Sequence, residues 1–134
     1  MAFLNKADLA TTITLNELNN LADDLIISLC CDAAVGEMKL YLYEAYETDA
    51  IFNQTEHARN MMLLKIGADI AVYLIASAKQ AGVDMDDRRK RYDRAVTILK
   101  QLKNTELYSE LPRRQIAVQS VVEILSNPKR NNSF

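Results

Sequence analysis

A chain of 134 residues, 49% hydrophobic and 25% charged, has the length and composition of one soluble globular domain around a single core. Its formal charge of −2 excludes a general electrostatic pull toward nucleic acid or an anionic membrane. No secretory leader is expected, and Lys65 and Asp69 interrupt the most apolar run well short of the roughly 20 residues of a membrane span.

Glycine and proline are scarce and both prolines lie late, which favours long helices, so the expected fold class is all-α. The first segment reads as two short turns: Asn5 with Asp8 three residues on, then Thr14 with Glu17 at capping-box spacing ahead of Leu18 and Leu21. Leu4, Leu9, Ile13 and Leu15 are expected to fold this entry against the core. Asp23 or Asp24 then opens a long helix to about Tyr46, with Ile26, Leu29, Cys30, Ala33, Leu40 and Tyr41 as its buried face. The small residues Ala33, Ala34 and Gly36 suggest that the central helix crosses closely there. Tyr41, Tyr43 and Tyr46 read as a core edge or a subunit contact. Thr48 to Asn60 reads as a polar connection that tucks Phe52 inward.

Met62 to Gln80 is the central helix. Leu63, Ile66, Ile70, Tyr73 and Leu74 recur at helical spacing and the neighbouring arc is apolar too, as in a helix buried on most sides. Asp69 is explained by an ion pair with Lys65 one turn earlier or by a side chain from an adjacent helix. Gly82 supplies a stop and Asp84 a cap for a third long helix, with Asp86 and Asp87 in its first turn and Lys100 and Lys103 in its last. Tyr92, Ala95, Leu99 and Leu102 form its buried stripe. The expected core is thus Leu29, Leu40, Leu63, Ile66, Ile70, Tyr73, Leu74, Tyr92 and Leu99. Arg88, Arg89, Lys90, Arg91 and Arg94 form the sharpest charge run, read as a solvated face or as a contact between subunits.

Pro112 breaks the helical pattern. Ile116, Val118, Val122 and Ile124 then alternate as a strand would, although a helix from Gln115 to Leu125 fits the same residues. The chain divides into a helical domain, 1–107, and a C-terminal arm, 108–134, ending in the polar run Ser126 to Phe134. A lone strand must pair with something, so the arm residues are expected to meet a neighbouring subunit.

Catalytic signatures are missing from the sequence. There is no phosphate loop, no nucleophile elbow, no zinc motif and one histidine, His57, in a polar stretch. Cys30 and Cys31 are adjacent and point apart on a helix, so they read as reduced packing residues. Glu37 and Glu44 lack the histidine partners of a di-metal bundle. No catalytic residue, metal or cofactor is expected.

Four groups in order carry a resemblance: Lys6, Asp8 and Leu9; Glu37, Tyr41, Leu42 and Tyr46; Leu64, Ala68, Asp69, Ile70, Ala71 and Tyr73; and Arg91, Tyr92, Ala95 and Leu99. Together they resemble the Mu-type family of phage head–tail connector proteins, over roughly Phe3 to Leu107. Two departures stand out: Lys39 and Ala45 replace an Asp and an Arg of many relatives, and Asn104 replaces a Gly. The resemblance implies a bundle of three long helices plus short N-terminal ones, with an extended arm. It further implies a virion protein of the neck, assembled as a ring, usually a dodecamer, below the portal protein. There it would meet the next neck or tail component, with DNA only as channel cargo and no membrane. The charge run and the strand-like arm offer the candidate contacts to subunits or portal: Arg88, Arg89, Arg91, Arg94, Ile116, Val118, Val122 and Ile124. The alternative is a small cytosolic helical regulator that binds DNA or a protein partner through the arginine run or a C-terminal helix.

Overall fold

The computed structural model describes residues 2–79, 85–104 and 110–114. Asn60 opens the central helix α4, Met61–Lys79: its side-chain oxygen accepts from the Leu63 amide and its carbonyl from the Leu64 amide, both at 3.0 Å. Leu63, Leu64, Ile66, Ala68, Ile70, Ala71, Val72, Ile75 and Ala76 are buried along it, which places apolar contacts on most of its circumference. By length and composition Met61–Ala78 is apolar enough to cross a membrane, yet 56% of that window is buried inside the fold. Tyr73 and Leu74 are only half-buried. Asp69 pairs with Lys65 at 2.9 Å.

Two further long helices flank α4. Asp23 caps α2, Asp24–Leu42, by accepting from the Ile26 amide. The third, α5, runs Met85–Asn104 and buries Ala95 and Leu99, with Tyr92 and Leu102 packed beside them. Among the described residues no strand forms, and the fold is all-α. Burying each large aliphatic side chain contributes about 1.5–3 kcal/mol, so the α2–α4–α5 contact supplies most of the driving force.

The entry segment follows the expected capping. Asn5 and Asp8 form a reciprocal capping box on a 3-10 helix, Lys6–Thr11, and Thr14 caps α1, Leu15–Leu21, by accepting from the Glu17 amide. Leu4, Leu9, Ile13 and Leu18 are buried, whereas Leu15, the first residue of α1, is exposed. The stretch read as a plain polar connection contains a short helix α3, Thr48–Phe52, and a 3-10 turn, Glu56–Ala58. Phe52 is buried edge-on to Phe3, with ring centres 4.9 Å apart.

Two expectations are corrected. Leu29 and Leu40 do not belong to the core; Ile27, Cys31, Ala34, Met38 and Leu42 face inward instead. Ile26 and Ala33 are exposed with Leu29 and Leu40: at about 100° of rotation per residue these four lie on the side of α2 away from the buried stripe. The small-residue approach is made by Gly67 of α4, not by Gly36: a Cβ on Gly67 would sit 2.8 Å from Met38 Cε, while a Cβ on Gly36 would meet nothing within 4 Å. Gly82, Asp84 and the arm residues Ile116, Val118, Val122 and Ile124 lie outside the described residues.

Residues 110–114 return to the helical unit. Leu111 is buried, the Glu47 amide donates to the Pro112 carbonyl at 2.9 Å, and Tyr46 and Arg113 form a single antiparallel bridge.

Candidate functional site

A surface helix needs one apolar face; α2 has two. Its inner stripe, Ile27, Cys31, Ala34, Met38 and Leu42, packs on α4. Ile26, Leu29, Ala33, Gly36, Leu40 and Tyr43 recur at alternating spacings of three and four, a heptad seam lying on the opposite side of the helix. Among the described residues nothing covers that seam: Leu40 is 67% exposed, Leu29 55%, Tyr43 48% and Ile26 37%, with Leu25 beside them at 67%. Scattered exposed leucines are ordinary, but a continuous apolar stripe along a whole helix marks a surface that meets another protein.

The flanks of the seam are set by neighbouring elements. On one side α5 approaches: Tyr92 Oη donates to Glu37 Oε2 at 2.8 Å, and Lys103 lies 3.6 Å from Glu44. The Tyr92 ring also stacks on Tyr73, with centroids 4.5 Å apart. Burial, and then the Glu37 carboxylate, push the Tyr92 phenol up to about 12. On the other side Lys39 sits over the Phe52 ring, 5.9 Å from its centroid. At the C-terminal end the Arg114 guanidinium lies over Tyr43 and donates to its carbonyl at 2.7 Å.

The arginine run divides by position. Arg88 and Arg91 turn inward and donate to the Thr12 carbonyl at 2.9 and 3.2 Å, and Arg91 also reaches the Thr12 hydroxyl at 2.7 Å. They lock the end of the N-terminal 3-10 helix to α5, and Arg91 additionally pairs with Asp87 at 3.1 Å. Arg89 and Arg94 remain exposed. The run is therefore not one basic face: two of its four arginines serve the fold.

Chemistry elsewhere is sparse. Cys31 is buried and its thiol is pushed up to about 12, first by desolvation and then by Asp32 and other nearby charges; Cys30 is raised by desolvation too. Such thiols are poor nucleophiles and poor metal ligands. His57 is exposed, and among the described residues no three His, Cys, Asp or Glu side chains come together as a metal site.

Sequence reasoning grouped Ile26, Leu29, Ala33 and Leu40 on one face of α2 but assigned that face to the core, and it did not join Gly36 and Tyr43 to it. It missed Arg59, whose side chain joins three segments: Nη1 donates to the Phe3 carbonyl and to Asp8 Oδ2, and Nε to the Glu56 carbonyl, each at 2.8 Å. No local pattern announces a contact between residues 51 apart in the chain. Compared with known proteins, the chain matches no family model and no curated protein.

Proposed function

We propose that the chain is a structural component of a phage neck, a head–tail connector or adaptor. Copies assemble as a ring, usually twelve in such proteins, below the portal and offer a surface to the next neck or tail protein. DNA passes only as cargo, and the working location is the virion. The observation that carries this reading is the uncovered seam on α2, a long apolar helix face on a molecule whose core is already closed by α4 and α5. Its support from sequence is the order of the four helix-face groups that resemble the Mu-type connector family. The role is one of contact rather than catalysis. A regulator that grips DNA is disfavoured because Arg88 and Arg91 are committed to Thr12.

The purified chain, alone and mixed with a portal protein from the phage that encodes it, tests the reading by negative-stain imaging and mass measurement. A ring of copies added to the portal particles, seen as extra density, is the expected result. Leu29→Lys with Leu40→Lys should abolish that association while leaving the helical circular dichroism intact, because both side chains are exposed. A chain that neither self-associates nor binds portal, yet binds duplex DNA with a steep salt dependence, overturns the connector reading in favour of a regulator.

A further inference from the structure

The seam on α2 has a mirror symmetry in size. Read from either end it runs large, large, small, small, large, large: Ile26 and Leu29, then Ala33 and Gly36, then Leu40 and Tyr43. The spacings are also the same in both directions. A contact with an unrelated partner places no such demand on a helix. A contact between two copies about a two-fold axis makes use of the symmetry, because each residue then meets its counterpart in the mirrored position and the small pair meets at the centre. With the axis between Ala33 and Gly36, those two small residues face each other across the pair, Leu29 faces Leu40, and Ile26 faces Tyr43.

The flanking charges obey the same symmetry. Asp32 and Lys39 lie seven residues apart, on one side of the seam, and both are exposed. Among the described residues neither has an ion-pair partner within its own chain. In an antiparallel helix pair, residues on this flank face the same flank of the other helix. Asp32 of each copy therefore comes opposite Lys39 of the other, and the pairing occurs twice. Gly36 completes the argument. A side chain there would meet nothing within 4 Å, so the fold of one copy gives no reason for a glycine in mid-helix. A close approach of a second helix gives one.

We infer that the free protein forms a two-fold dimer in which the α2 helices of two copies pack antiparallel along Ile26, Leu29, Ala33, Gly36, Leu40 and Tyr43. The inference rests on reading the outer face of α2 as a protein–protein surface, as the proposed function does. A closed ring is built from head-to-tail contacts, so this isologous pair is a separate association that hides the seam until another contact displaces it.

Sedimentation equilibrium of the full chain over a range of concentrations tests the inference, expecting the mass of two 15.2 kDa chains. Gly36→Leu, which favours the helix but fills the centre of the contact, should weaken the dimer about ten-fold or more. Asp32→Lys and Lys39→Asp should each weaken it several-fold, since each creates two like-charge pairs, and the double swap should recover most of the loss. A dimer that the swap does not rescue overturns the antiparallel register. A larger oligomer, dissolved by Leu40→Lys but insensitive to the swap, overturns the dimer and leaves the surface reading standing. A monomer that Leu40→Lys destabilises shows instead that the face is covered within one chain, and overturns the inference. A monomer indifferent to Leu40→Lys, in stability and in portal binding, removes both the inference and the reading beneath it.

Discussion

Arg59 holds the N-terminal segment in place. Its guanidinium meets the Phe3 carbonyl and the Asp8 carboxylate, and the ion pair with Asp8 is mostly shielded from solvent, each side chain being 13% exposed. Removing one partner leaves a shielded charge unmatched, so Arg59→Ala should lower unfolding stability by about 2–4 kcal/mol in urea titration. The Asn5–Asp8 and Thr14–Glu17 caps were legible because their partners lie three residues apart; Arg59 was not, because its partner is fixed only by the finished fold. The raised groups set a pH dependence. The folded state holds the Cys31 thiol proton up to about pH 12, while an unfolded thiol releases it near 9.0. Tyr92 behaves likewise between 10.0 and about 12. In that window the unfolded chain binds fewer protons, so stability is complete below pH 9 and declines as pH rises toward 12. Cys31→Ala should flatten the earlier part of an alkaline denaturation curve and Tyr92→Phe the later part.

At the scale of elements, α4 and α5 were readable and α2 was not, for one reason. In α4 apolar residues cover most of the circumference and in α5 they form one stripe, so a buried assignment of Leu63, Ile66, Ile70 and Leu99 has no competing register. In α2 two apolar stripes compete, and bulk alone favours the one with Leu29 and Leu40. What decides between them is shape: Met38 fits the notch left by Gly67, a contact that periodicity does not encode. The two helical glycines should therefore respond differently. Gly36→Ala should raise stability by about 0.5–1 kcal/mol in thermal melts of dilute, monomeric protein, since the added methyl meets nothing. Gly67→Ala should be close to neutral, because the helix gain is offset by displacing the Met38 methyl. Gly67→Leu should cost about 1–3 kcal/mol by overpacking the α2–α4 contact.

For the whole molecule, the three long helices depend on one shared core, so damage at one contact should unfold all of them together. Leu99, fully buried where α5 meets α4, is a suitable probe: Leu99→Ala should cost about 2–5 kcal/mol, with circular dichroism and tyrosine fluorescence reporting one coincident transition. The segment 110–114 has a mechanical consequence. It is fastened at the C-terminal end of α2 by the Glu47–Pro112 and Arg114–Ala45 backbone bonds and by the Arg114 side chain on Tyr43. A tensile load applied beyond Arg114 would enter the protein through these few bonds before it reached α5. The same anchorage sets down the start of the following chain at the Tyr43 end of the seam, so force on the tail and occupancy of α2 would be felt at one spot.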